Sequence, residues 1–140
     1  MSPAGRRQSR VSAFEGQNAV VTVIEPPNSV ILLVGREEFT PPLTFAQSTV
    51  AATEDCVAVG VRAVDDGPTA VAVAPEVDGS GLVRLGDFVV QTEGRASIRD
   101  VYNREYAAIE LEPGKCLVTV WGNDRSEPDQ VSFEVTASNP

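Results

Sequence analysis

Between residues 107 and 136 apolar and polar side chains take turns, and an extended chain is the backbone that sorts such a pattern onto two faces. Ala107, Ile109 and Leu111 point one way, Ala108, Glu110 and Glu112 the other. Glu112-Pro113-Gly114-Lys115 then puts proline and glycine where a type II turn needs them. Cys116, Val118 and Val120 share the next apolar face, with Lys115, Leu117, Thr119 and Trp121 opposite. After a polar loop at 122–129, Val131, Phe133 and Val135 alternate with Gln130, Ser132, Glu134 and Thr136. Three successive half-buried strands of this kind predict an antiparallel meander.

The same grammar runs through the rest of the chain, with turn residues every ten or so positions. Residues 19–24 form a strand candidate that Pro26-Pro27 ends. Residues 30–34, Val-Ile-Leu-Leu-Val, are apolar on both faces and read as a central strand covered on both sides, closed by Gly35. Pro41-Pro42 breaks the chain before a short edge strand at 43–45, and residues 40–52 leave room for a short helical turn. Residues 56–64 alternate, with Val57, Val59, Val61 and Ala63 on one face. Asp65-Asp66-Gly67-Pro68 is a strong turn, so 56–64 and 69–74 read as a hairpin. A long strand at 82–92 carries a bulge candidate at Gly86. Glu93-Gly94 turns into a strand at 95–101. No stretch keeps a helical period. Eight or nine strands with alternating faces predict an all-β antiparallel sandwich, with a closed barrel as the alternative.

Residues 1–16 show no period and read as a loose basic tail, leaving 17–140 as one sandwich domain. The tail holds Arg6, Arg7 and Arg10, and the chain as a whole carries 20 acidic and 11 basic side chains for a net charge of −9. Residues 11–140 alone therefore stand at −12. Such a body repels phosphate backbones, which argues against direct nucleic-acid binding, and it attracts basic partners. Solubility explains the same charge without a partner. The apolar runs at 19–24 and 30–34 are too short to cross a bilayer and no secretion signal is visible, so a cytoplasmic protein with no membrane role is expected. In that compartment Cys56 and Cys116 read as reduced, buried, small apolar residues.

Chemistry is scarce. The chain has no histidine, the usual proton shuttle near neutral pH, and no glycine-rich phosphate loop, so no cofactor is implied and an enzyme is not expected. Paired acids at Glu37-Glu38, Asp65-Asp66 and Glu110/Glu112 read as solvated edges beside turns rather than catalytic dyads. Acidic, glycine-bearing loops at 65–67, 76–81 and 123–129 contain calcium-ligand types, yet none follows the twelve-residue calcium loop, and tight turns demand the same residues. Trp121 and Leu117 form either an apolar interface patch or part of a core, depending on what covers their face.

One resemblance adds to this. Gly86-Asp87-Phe88-Val89-Val90, Glu93-Gly94-Arg95, Ile109, Leu111, Pro113-Gly114, the strand at 116–120, Gly122, Asp124 and the closing strand at 131–135 occur in an order similar to the competence protein J type of nuclease inhibitor and related actinobacterial β-sandwich proteins. The match covers residues 82–136, and no functional residue carries over. It implies an inhibitor or immunity-type partner of a basic toxin or nuclease, a role that suits the acidic body independently. The expected contacts are the loop acids Asp65, Asp66, Asp78, Asp124, Glu127 and Asp129, together with Trp121. The partner would be a basic protein, or the chain itself if it is instead a structural, self-assembling or phage-encoded protein that associates through Trp121, Leu117 or an edge strand.

Overall fold

The computed structural model describes residues 19–45 and 48–137, and in it the chain runs through ten strands. They are β1 (Val20–Ile24), β2 (Val30–Val34), β3 (Val50–Ala52), β4 (Cys56–Gly60), β5 (Thr69–Ala74), β6 (Val83–Thr92), β7 (Arg95–Arg99), β8 (Glu105–Glu110), β9 (Gly114–Gly122) and β10 (Gln130–Ala137). Two five-stranded sheets result, ordered β1-β5-β10-β9-β6 and β3-β4-β2-β7-β8. They pack face to face as a sandwich, and no barrel closes among the described residues. The basic stretch 1–16 lies outside those residues.

The alternating positions supply the space between the sheets. Ile31, Leu33, Val57, Val59, Ile98, Val118, Val120 and Phe133 are all almost completely buried there. Strand β2 has no polar side, and both of its faces are covered, as its composition predicts. Ile31 and Leu33 enter the main core, while Leu32 and Val34 join Cys56 and Ala58 in a second, smaller core on the outside of the sheet. Phe39 and Phe45, from the segment that follows β2, lie over that second core. An irregular strap thus does the covering where a third layer would otherwise be needed.

Several neighbours differ from the sequence expectation. Residues 56–64 and 69–74 are not a hairpin: β4 and β5 belong to different sheets. Both edges of β4 are already taken by β2 and β3, so the chain has no edge to return along. A 3-10 turn at Val64–Asp66 and Gly67 at φ 126° carry it across instead. Strand β8 likewise leaves the expected meander and pairs with β7, because β9 is flanked by β6 and β10. The sheets are not wholly antiparallel either, since β10 runs parallel to β5. Residues 43–45 form no strand, and the 40–52 region contributes the short strand β3 and an i→i+3 backbone bond from the Ser48 amide to the Phe45 carbonyl. The register of β6 breaks between Arg84 and Gly86, where the glycine suggested a bulge.

Where β6 crosses over to β7 the backbone presses on Gly35. The Gly35 amide donates to the Asp55 carbonyl at 2.9 Å and its carbonyl accepts from the Glu93 amide at 2.9 Å. A Cβ at position 35 would lie 2.2 Å from the Gln91 carbonyl oxygen, so only glycine fits. Gly35→Ala is therefore expected to cost about 1–3 kcal/mol, read as a lower urea midpoint with the slope unchanged.

Cys56 and Cys116 are both free and buried, in different cores, one under the strap and one between the sheets. Burial pushes the Cys56 thiol up to about 12, with the Asp55 carboxylate adding to the shift and Arg99 opposing it. Burial alone pushes Cys116 up to about 11. Neither thiol is expected to react with a soluble disulfide reagent at mildly alkaline pH while the protein is folded, and both are expected to react in denaturant.

Candidate functional site

The loops at 61–68 and 123–129 meet at one end of the sandwich. Their meeting point is Arg62. Its amide donates to the Pro128 carbonyl at 3.1 Å, its Nη1 pairs with Asp129 Oδ2 at 2.9 Å, and its Nη2 donates to the Pro68 carbonyl at 3.2 Å. The Asp129 carbonyl accepts from the Ala70 amide at 2.9 Å, tying the second loop to the start of β5. Gly67 is favoured here by its left-handed φ, and a Cβ there would push on Arg62 Nη2, 2.3 Å away, at the free end of the arginine side chain.

The 123–129 loop is also ordered from within. Asp124 Oδ2 accepts from the amides of Glu127 at 2.8 Å and Ser126 at 3.1 Å and from the Ser126 hydroxyl, and these bonds hold its carboxyl below the usual carboxylate range. Asn123 Oδ1 accepts from the amides of Asp129 and Gln130, while its Nδ2 donates to Asp129 Oδ1 at 2.6 Å. Thr49 closes the end from the other sheet by donating to the Arg125 carbonyl.

Asp65, Asp66, Asp124, Glu127 and Asp129 are thereby gathered on one surface, exposed except for the half-buried Asp129. Among the described residues, Asp65, Asp66, Asp124 and Glu127 form no ion pair, so these four negative charges face solvent on a fixed frame.

Asp78 and Trp121 are placed differently. The loop at 75–82 crosses the outer face of the β1–β6 sheet. Gly79 lies so close to the Trp121 indole that a Cβ would come within 2.7 Å of it. Trp121 Nε1 donates to Glu134 Oε1 at 3.1 Å, and the Val77 amide donates to Glu134 Oε2 at 3.4 Å. Trp121 is thus half-buried under the loop and is the post that holds it. Asp78, exposed on that loop, accepts from the Ser80 amide at 3.0 Å, which keeps its carboxyl below the usual range. Leu117 remains 40% exposed on the same face.

A second surface has no counterpart in the sequence reading. Between the strap and the β7–β8 turn lies an open groove of about 340 Å³, floored by Val30, Leu32 and Ala58 and walled by Phe39, Phe45 and Val101. Its end is built on Asp100, which is fully buried. Asp100 accepts from Tyr106 Oη at 2.6 Å, the amides of Tyr102 and Arg104 at 2.8 and 3.1 Å, and Arg104 Nε at 2.8 Å. Beside it the buried Arg99 donates to Ser97, Asn103 and Glu37 and stands 5.8 Å from the Phe39 ring centre. The one available signal for this surface was the two-sided apolarity of β2, which requires a cover without saying which segment provides it.

Among the described residues no three acidic or cysteine side chains converge as a metal site would require, and no helix is long and apolar enough to cross a membrane.

No protein-family model matches the chain, and no curated protein matches it. Among solved structures the fold is similar to that of ComJ from Bacillus subtilis, the inhibitor of the DNA-degrading activity of NucA. The likeness has a TM-score of 0.62 at 12% identity and covers 84% of this chain and 95% of that one. The resemblance legible in residues 82–136 is therefore a resemblance of the whole sandwich.

Burial pushes the pKa of Asp100 up, but the Tyr106 hydroxyl, the two amides and the Arg104 guanidinium outweigh it and hold the carboxyl below its ordinary 3.8. A carboxyl depressed in the folded state stabilises the fold fully above its unfolded value, and that contribution disappears as pH falls through the lowered one. Asp100→Asn is expected to lower stability by about 1–3 kcal/mol at neutral pH. The difference from the parent should shrink below pH 3.8, which urea unfolding at the two acidities would show.

Proposed function

We propose that this chain is a non-enzymatic, cytoplasmic binding protein that caps a basic protein such as a nuclease, as an inhibitor or immunity-type partner. The observation that carries this reading is the junction at Arg62. Two acidic loops far apart in sequence are clamped together at one end, and exposed Asp65, Asp66, Asp124 and Glu127 on them form no ion pair among the described residues. Charges held on a rigid frame lose little conformational freedom on binding, and a like-signed patch steers an oppositely charged partner toward it. Asp65, Asp66, Asp124 and Glu127 are the contacts that set the encounter rate. Asp129 acts mainly through Arg62 as the clamp. Asp78 and Trp121, on the adjoining sheet face, belong to the rim.

Two further facts support the reading. The similar fold of ComJ belongs to an inhibitor of a DNA-degrading protein. The chain also lacks histidine, leaving general acid–base chemistry near neutral pH without its usual carrier. Here the acidic surface would take the place of nucleic acid at a basic cleft rather than bind nucleic acid itself.

The test is a pull-down with the tagged protein from nuclease-treated lysate of the source cells, washed at low and at high salt. A stoichiometric basic protein released by salt is the expected result. With that protein purified, Asp65→Lys/Asp66→Lys should slow association by about tenfold or more at low salt, with a much smaller change in dissociation. Association rates indifferent to charge reversal in both loops would remove the proposal.

A further inference from the structure

Among the described residues four strands, β1, β6, β3 and β8, end their sheets, and three of these edges are guarded. Strand β3 is only three residues long. Strand β6 has its register broken beside Gly86 and carries the Arg84–Asp87 ion pair. Strand β8 begins and ends with glutamate, and Glu105 is tied to Arg95 at 2.6 Å. Short length, bulges and charge are the devices by which natural sheets prevent edge-to-edge pairing.

Strand β1 has none of them. It is Val-Val-Thr-Val-Ile, without charge, proline or bulge, and it pairs with β5 residue for residue from Val20 to Ile24. Its other edge is hydrogen-bonded to no strand among the described residues, and β8 of the facing sheet lies near it at that corner of the sandwich without pairing. Val21 and Val23 point outward and are 60% and 65% exposed. They border the small outer-face residues Ala72 and Ala70, their register partners on β5.

We infer that the free edge of β1 pairs antiparallel with β1 of a second copy of this chain, joining the two β1–β6 sheets across a twofold axis. The sequence of the strand is self-complementary in the register centred on Thr22. Val21 then lies opposite Val23 of the second copy, and Val23 opposite its Val21, so the four valines form one apolar block on the outer face. The charges agree with this register. Glu25 of each copy comes opposite Ala19 of the other, so neither glutamate meets its own counterpart. The remaining acidic surface opposes the union as a whole, because two copies of a chain carrying −9 repel each other. A five-residue edge also buries less than the roughly 1,200 Å² of a standard interface. The dimer is therefore weak, reversible and strengthened by salt. That salt response is opposite to the one expected for capture of a basic protein, so the two associations are separable.

The experiment is sedimentation equilibrium of the full chain over a range of concentrations, at low and high salt. A monomer–dimer equilibrium that tightens with salt is expected. Val21→Lys/Val23→Lys sets like charges opposite each other in this register and should abolish the dimer. Val21→Lys/Val23→Glu sets lysine opposite glutamate and should retain it. Val89→Lys, on the outer face of edge strand β6 where Val89 is 55% exposed, should leave it unchanged. Melting curves confirm that each variant is folded. A strict monomer at every concentration and salt overturns the inference, as does a dimer that survives the double lysine variant, one that dissociates in salt, or one lost in Val89→Lys. Loss of the dimer in the lysine–glutamate variant as well overturns the register.

Discussion

The structure turns on a strand that can give no face to water. With valine, isoleucine and leucine at every position, β2 must be covered from both sides, and each cover has consequences. On the inside it recruits the second sheet and makes the sandwich. On the outside it recruits the strap, whose Phe39 and Phe45 are drawn down onto Leu32, Val34, Cys56 and Ala58. The strap is then fastened by polar contacts that have little to do with the core. Asp55, itself buried, accepts from Arg36 Nε at 3.2 Å and from the Thr40 amide at 3.0 Å. Apolar burial sets where the strap goes, and a buried carboxylate sets how it lies.

The faces of the strands were legible in the sequence, and their neighbours were not. Alternation at 116–121 and 131–135 correctly assigned Cys116, Val118, Val120, Val131, Phe133 and Val135 to the interior, because period two is a property of the strand itself. Partner choice depends on which edges are still vacant, and a local pattern carries no record of that. For this reason Asp65-Asp66-Gly67-Pro68 looked like a hairpin turn and proved to be a passage between sheets. Residues 43–45, which follow Pro41-Pro42, looked like an edge strand for a similar reason. Of them Phe45 packs on the second core while Leu43 stays exposed, and the prolines keep the segment off a ladder.

The candidate site divides in the same way. The loop acids could be picked out by residue type, and most of them do share one end of the molecule. What brings them there is Arg62 reaching Asp129 and Pro128, a contact between segments widely separated in the chain. Asp78 and Trp121 fell elsewhere because the loop between β5 and β6 runs across a sheet face and not around its end. The polar hub at Asp100 and Arg99 escaped notice altogether. An aspartate and an arginine at the end of a strand look like ordinary surface residues until their burial is known.

The parallel partnership of β5 and β10 bears on how the molecule is made. Strand β10 lies in the middle of its sheet, with β1-β5 on one side and β9-β6 on the other. During synthesis those two ribbons exist before the strand that unites them, and until it emerges each has an unfilled inner edge. Until then the waiting edges are exposed to wrong partners. Every strand of the β3–β8 sheet has emerged before β10, so the other sheet is the one whose completion waits for a central strand to arrive between its two halves.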